Sequence, residues 1–376
     1  MKIAIDTVLL LSPLTGVGNY AYQIARKLRE IAPTHDYTYF YGYYSSRLLS
    51  PGDRLDSVHR VKEAVRKLPI LGRSARGLKD LANLFSTREF DLYFEPNFIP
   101  LNIRARRTVV TVADFSFARF PEWHTVDKVH YFGKHFWEKI HRADRIIVIS
   151  EFIRNEAIQR FGFSPKKLTT IPLGVNHETY RVYHPQDLGP IRAKYSLPEK
   201  FILFVGSIEP RKNLKKLLQA YRGLDVSLRK EYRLILVGFG GWANSEIMSL
   251  IGELEKEVQY LGYVPENDLG KFYNLASLFV YPSLYEGFGL PPLEAMACGC
   301  PAVVSKAASL PEVCGDAAYY VDPYDANGIS EGISRLLLDD RLRHSLVQKG
   351  IDRAFSFSWE KSSREHLRVF EELLSA

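Results

Sequence analysis

Two series of short apolar runs, each alternating with helix-period segments, constrain this chain more than any other feature. The first series holds residues 3–5, 37–43, 108–112 and 146–149, with helical spacing over 20–31 and 151–161 between them. The rhythm restarts at Phe201-Ile202-Leu203-Phe204-Val205-Gly206 and continues through 234–237, 278–281, 302–305 and 319–321. Uninterrupted apolar runs are what strands buried on both faces require, and strands that alternate with helices pair in parallel. A chain of 376 residues is also too long for one ordinary core. The pattern predicts an α/β protein of two doubly wound, Rossmann-like domains. A polar stretch at 176–200 with Pro185, Pro190 and Pro198 reads as the linker, placing the domains at 1–180 and 181–357. The tail, 358–376, is expected to form a helix that packs back on the first domain. Two such domains are expected to face each other across a cleft at the carboxyl ends of their strands, where ligands collect.

Several function classes fall away on composition. No run of about 18 apolar residues exists, so no membrane-spanning helix is expected. The opening Met1-Lys2-Ile3-Ala4-Ile5-Asp6 reads as a core strand and not as a signal peptide. Three cysteines are too few for a disulfide framework, so a reducing cytoplasm fits. Cys298, Cys300 and Cys314 have no histidine beside them and read as small buried thiols, with no metal site expected. Of the net charge of +7, residues 1–180 carry +9 and the remainder −2. The first half therefore meets something anionic or simply carries a basic surface. Its basic residues bring no interleaved aromatic motif, which disfavours nucleic acid as a partner.

The strongest chemical signal is Tyr285-Glu286-Gly287-Phe288-Gly289-Leu290-Pro291-Pro292-Leu293-Glu294-Ala295-Met296-Ala297, after the run 278–281. Proline suits a first helical turn, and Gly287 and Gly289 let backbone approach a ligand. Free N–H groups at a helix start make an anion site. Glu286 before the helix and Glu294 one turn inside it can both face one ligand, and a carboxylate accepts two hydroxyl donors, as polyols offer. Alone, such acids would read as solvated helix-start residues. The second signal is Gly206-Ser207-Ile208-Glu209-Pro210-Arg211-Lys212-Asn213 after the run 201–205. Arginine offers a donor fork for phosphate and lysine a point charge. Cations are unfavourable at a helix start unless something anionic answers them, so Arg211 and Lys212 suit neutralisation of a diphosphate leaving group without a metal.

These two motifs, with Gly238-Phe-Gly-Gly-Trp242, Gly262-Tyr-Val-Pro265 and Ser309-Leu-Pro-Glu312, resemble glycosyltransferase family 4, specifically over roughly 165–320 and more weakly before. The resemblance implies the GT-B fold and a retaining, metal-independent hexosyl transfer from a nucleotide sugar, with no further cofactor. It implies that Glu286 contacts the donor sugar, Glu294 the ribose, and Arg211 and Lys212 the diphosphate. Ser207 belongs to the donor loop, and backbone N–H groups of Phe288, Gly289 and Leu290 reach sugar and phosphate. Thr15-Gly16-Val17-Gly18-Asn19-Tyr20 resembles the family's glycine loop, with Gly16 near the donor phosphates. Its spacing also fits a dinucleotide fingerprint, but the run 37–43 lacks the acid a nicotinamide enzyme wants. The segment Thr111-Val112-Ala113-Asp114 stands where the family usually reads His-Asp. Ala113 removes the imidazole, and Asp114 remains for donor or acceptor hydroxyls. An impaired or non-catalytic nucleotide-sugar-binding protein is therefore the alternative.

The pattern is most similar to mannosyl- or rhamnosyl-transferring members of bacterial polysaccharide assembly, so GDP-mannose is the first expectation for the donor. Residues 58–79 place Val58, Val61, Val65 and Leu68 at helical spacing among Arg60, Lys62, Arg66 and Lys67. This reads either as an interfacial helix on anionic lipid or as an ordinary amphipathic surface helix. With the basic first half, it suggests a saccharide or lipid-diphosphate-linked saccharide acceptor at the inner face of the cell membrane.

Overall fold

The computed structural model describes residues 1–12, 16–50, 87–240 and 245–375. The basic segment 58–79, Thr15 and the Gly241-Trp242 pair lie outside the described residues. The chain divides into two units. The first holds Met1–Ile149, Ile153–Pro172 and Trp359–Ala376, and the second holds Ser150–Phe152 and Leu173–Ser358.

The first unit is built on β1 (Lys2–Asp6), β2 (Asp36–Phe40), β3 (Tyr44–Ser45), β4 (Phe90–Glu95), β5 (Ala105–Val112), β6 (Arg145–Val148) and β7 (Leu168–Thr170). Among the described residues the order is β3-β2-β1-β4-β5-β6-β7. All pairs are parallel except β2 with β3. The run expected at 37–43 therefore ends sooner. Gly42 takes a positive φ of 92°, and the chain turns back as the short β3. Strand β4 escapes a search for apolar runs because Asp91 and Glu95 interrupt it. Both acids are answered: Asp91 accepts the Lys2 N–H at 2.8 Å, and Glu95 accepts the Tyr93 hydroxyl at 2.7 Å.

The second unit holds β8 (Phe201–Val205), β9 (Arg233–Val237), β10 (Val258–Gly262), β11 (Leu278–Tyr281), β12 (Ala302–Ser305) and β13 (Tyr319–Val321). Their order is β10-β9-β8-β11-β12-β13, parallel throughout. Every residue of β8, β11 and β12 is buried, as central parallel strands demand. The direction of strand progression reverses between β8 and β11, and ligands bind beyond the carboxyl ends at such a switch point.

Two expectations about boundaries need correction. The boundary after β7 falls at Pro172 and not at residue 180: Leu173, Val175 and Tyr180 are buried in the second unit, where Tyr180 packs edge-on to Tyr273. The stretch 176–200 is likewise no free linker. It carries a helix, Gly189–Lys194, whose Lys194 and neighbouring Tyr195 both donate to Asp268 at 2.7 Å. The three cysteines are free and buried. No helix among the described residues is long and apolar enough to cross a membrane.

The C-terminal helix Trp359–Ser375 packs on helix Gly16–Ile31 of the first unit through a buried relay. His366 Nδ1 meets the Ser362 carbonyl at 2.7 Å, so that nitrogen carries the proton. Burial pulls His366 down to about 4, outweighing the Ser362 bond, so the ring is neutral and Nε2 accepts. Tyr20 therefore donates to His366 at 2.7 Å and accepts from Thr111 at 2.7 Å. Tyr20→Phe leaves two buried groups unanswered, at a cost of about 1–3 kcal/mol. Thermal unfolding of the full chain should show a lower Tm for this variant. An unchanged Tm would mean the relay does not tie the helix down.

Candidate active site

The second sheet delivers its two signature loops from adjacent strands. Strand β8 runs into 206–213, and β11 runs into 282–289, so both leave the sheet at its switch point. The backbone is locked at four places. Asn213 sits in the left-handed region at φ 59°, which asparagine tolerates, and its side-chain amide donates to the carbonyls of Pro282 at 2.9 Å and Pro323 at 2.7 Å. The Leu284 N–H donates to the Arg211 carbonyl at 2.8 Å. Gly238, just past β9, has φ 148°, and a Cβ there would stand 2.0 Å from the Gly206 carbonyl oxygen. Ser309 places its hydroxyl between the carbonyls of Glu286 and Phe288, at 2.9 and 2.8 Å.

On this frame Arg211, Lys212 and Glu286 meet directly. Arg211 Nη1 donates to Glu286 Oε2 at 2.8 Å, and Lys212 Nζ donates to Glu286 Oε1 at 2.7 Å. Tyr281, at the end of β11, donates to the same Oε1 at 2.9 Å and accepts from Lys212. Glu209 takes Arg211 Nε at 2.9 Å and accepts from Ser207. Lys212 and Glu286 are each 7% exposed. Burial alone would push the Glu286 carboxyl up, but Arg211 and Lys212 hold it down at about 2. Burial and the Arg211 charge pull the Lys212 ammonium below its usual value, with Glu286 pulling it back. The cluster thus carries two positive and two negative groups.

Glu294 has the opposite character. It lies inside helix Leu290–Ala297, buried, and accepts the Tyr273 hydroxyl at 3.1 Å and a bond from Tyr180. Burial and the charge of Glu266 raise it to about 8, against the lowering by both phenols and Lys212. It holds a proton at neutral pH. The two acids of the motif are therefore set apart by environment, which is how one fold gives two carboxyls different tasks.

The helix start is shaped as the sequence predicts. Pro291 and Pro292 fill the first turn, and Gly289 caps it at φ 113°, where a Cβ would stand 2.6 Å from Leu310. The Phe288 ring packs edge-on to Phe357, and Phe288 and Gly289 are buried while Leu290 is half-buried. Ser207 reaches the cluster through Glu209. The remaining two candidates, Gly16 and Asp114, belong to the first unit. Gly16 opens its helix exposed, with nothing near its Cβ position, so packing does not require glycine there. Asp114 follows β5 and accepts the Ser116 N–H at 2.8 Å and hydroxyl at 2.7 Å on one oxygen. Since that hydroxyl proton is committed, Ser116 accepts from His124 Nε2 at 2.9 Å. Among the described residues no group of three or more His, Cys, Asp or Glu is arranged to hold a metal ion.

Sequence reasoning passed over Tyr281, Tyr273, Tyr180 and the pairing role of Glu209. Tyr281 and Tyr273 read as core aromatics, and only their phenol partners mark them as part of the site.

Comparison with known proteins follows the same lines. The family profile for Glycosyltransferase Family 4 matches residues 14–179, and that for Glycosyl transferases group 1 matches 190–353. The chain is 36% identical over 381 residues to O-antigen chain mannosyltransferase B of Escherichia coli, covering 99% of this chain and 100% of that one. It is 33% identical over 240 residues to the serotype-specific mannosyltransferase WbdA of Escherichia coli, covering 62% of this chain and 29% of that one. The solved structure of sucrose-phosphate synthase from Thermosynechococcus elongatus matches at TM-score 0.70 and 19% identity, covering 100% of this chain and 99% of that one.

The raised Glu294 carboxyl makes stability depend on pH. An unfolded glutamate ionises near 4.5, whereas the folded one keeps its proton to about 8, so stability falls as pH rises through that window. Glu294→Gln mimics the protonated side chain. It should match the wild-type Tm near pH 4 and exceed it at pH 8. Parallel Tm profiles across that range would refute the proton assignment.

Proposed function

The chain belongs to glycosyltransferase family 4, with the two parallel sheets of the GT-B fold, and from that premise we propose that it transfers mannose from GDP-mannose to a saccharide acceptor with retention of configuration. The observation that carries the reading is the convergence of Arg211, Lys212 and Glu286 at the switch point of the second sheet. Buried Lys212 and half-buried Arg211, both bound to Glu286 in the loop that precedes helix Leu290–Ala297, suit a diphosphate whose charge grows as the sugar leaves. Mannose is the sugar in the names of both Escherichia coli relatives, and one of those names also gives the O-antigen chain as the setting. Polysaccharide assembly is the proposed setting here too.

In this reading Arg211 forks onto the diphosphate and Lys212 adds a point charge, which removes the need for a metal ion. Backbone N–H groups of Phe288, Gly289 and Leu290 receive sugar and phosphate oxygens. Glu286 accepts donor-sugar hydroxyls, and Glu294 accepts the ribose hydroxyls after giving up its proton. The family resemblance further gives Gly16 a part in holding the donor phosphates and Asp114 a part in holding donor or acceptor hydroxyls. The bond from the anomeric carbon to the phosphate oxygen breaks as the acceptor oxygen bonds to the same face. The acceptor proton passes to the departing phosphate oxygen. Glu286, held near 2 by two cations, is a better hydroxyl acceptor than nucleophile. A lipid-diphosphate anchor on the acceptor rests on the sequence of 58–79 and the +9 charge of residues 1–180. Liposome flotation with acidic lipids tests it, and no association at low salt removes that part.

One observation favours a second reading, donor binding without efficient transfer: Ala113 stands where the family's imidazole would be. A single assay decides both matters. Incubation with GDP-mannose and a mannosylated acceptor should give a product whose new linkage retains the donor's anomeric configuration by NMR. Lys212→Ala should lower kcat by roughly 10²–10³, the scale seen when a group that stabilises developing charge is removed. An inverted linkage rejects the retaining mechanism, and donor binding without any transfer selects the second reading.

A further inference from the structure

The N–H groups that a donor diphosphate needs are already engaged. Arg211 Nη1 and Lys212 Nζ both point at Glu286, and Tyr281 adds a third donor to the same carboxylate. Both Glu286 oxygens are thus answered from within the protein. Resting on the reading of this site as a nucleotide-sugar site, we propose that Glu286 stands in for the diphosphate when the site is empty and thereby discriminates the intact donor from the spent nucleoside diphosphate.

The argument is one of charge and donor supply. Glu286 remains anionic across the physiological range because two cations hold it so. A diphosphate that takes Arg211 and Lys212 leaves a buried carboxylate short of donors and close to further negative charge, an arrangement that costs free energy. The intact donor answers that cost, because its sugar supplies hydroxyl donors to Glu286 in exchange for the N–H groups it removes. After transfer the sugar leaves with the acceptor. The nucleoside diphosphate then shares two cations with a carboxylate that has lost its hydroxyl partners. Glu286 returns to Arg211 and Lys212, and the nucleotide is released. Glu209 plays no such part. It holds Arg211 through Nε, on the other edge of the guanidinium, and makes no bond to Lys212.

The test measures binding to the full chain by calorimetry with GDP, UDP and inorganic pyrophosphate, for wild type, Glu286→Gln and Glu209→Gln. Glutamine keeps the size and one acceptor of Glu286 but removes the competing charge. Glu286→Gln should bind the preferred nucleoside diphosphate and pyrophosphate about tenfold tighter than wild type, since a like-charge juxtaposition has been removed. Glu209→Gln should change either by no more than about threefold, as expected for a partly exposed pair. Equal or weaker binding by Glu286→Gln overturns the proposal, and so does equal tightening in Glu209→Gln, which would reduce the effect to bulk charge. Pyrophosphate carries no base, so an error in the choice of guanine leaves that arm intact. A wild type that binds none of the nucleotides would instead strike at the nucleotide-sugar reading. Should Glu286→Gln fail to fold by circular dichroism, Glu286→Asp draws the carboxylate back by one methylene. It should still tighten pyrophosphate binding a few-fold by the same like-charge argument, and no tightening overturns the proposal.

Discussion

A buried lysine ammonium, held by one carboxylate and one phenol, is the interaction on which the second unit's chemistry depends. Taking Lys212 out of water costs several kcal/mol, and only partners of good geometry repay it. Glu286 at 2.7 Å and the hydroxyl and ring face of Tyr281 are those partners. Neither β8 nor β11 could supply this arrangement alone. The cation arrives on the loop from one strand, and its partners on the end of the next and the loop beyond it. The strand pair at which the sheet reverses direction therefore determines where positive charge is stored.

Stored charge of this kind requires a stiff frame, and the frame is made of backbone and small residues. Asn213 ties the cation loop to two neighbouring loops, and Ser309 ties down the loop that carries Glu286. Gly238 allows a backbone approach that a Cβ would forbid, and Gly289 a positive φ that a side chain would strain. Four of the motifs recognised in the sequence, those holding Asn213, Gly238, Gly289 and Ser309, each contribute one such restraint. Their joint presence reflects a single mechanical demand, and their separate chemistry is secondary. Gly289 caps the helix start because its φ of 113° strains any residue with a side chain.

What the sequence reveals follows from the same division. Central strands announce themselves, because burial on both faces leaves only apolar residues, as in Phe201-Ile202-Leu203-Phe204-Val205. Arg211, Lys212, Glu286 and Glu294 are legible because charged residues beside glycine and proline at a strand end have few structural uses. Strand β4 is hidden because Asp91 and Glu95 find local partners that a linear reading does not see. The unit boundary is misplaced because Tyr180 is bound to Glu294, more than a hundred positions away, and no local composition reports that. Tyr281 and Tyr273 look like packing residues until the atoms at their phenol ends are known.

The pair of acids shows most clearly where spacing stops and environment begins. Glu286 and Glu294 are the same side chain in one continuous motif, and sequence alone gives them the same capacity to accept hydroxyls. Burial pushes both carboxyls up. Arg211 and Lys212 reverse the effect on Glu286, whereas Glu266 reinforces it on Glu294. One acid is therefore an anion whose oxygens two cations and a phenol already answer, and the other a group that stays neutral up to about pH 8. The E-x7-E spacing fixes where the carboxyls stand, and the charges brought in from β8 and from helix Glu266–Leu275 decide what each of them is.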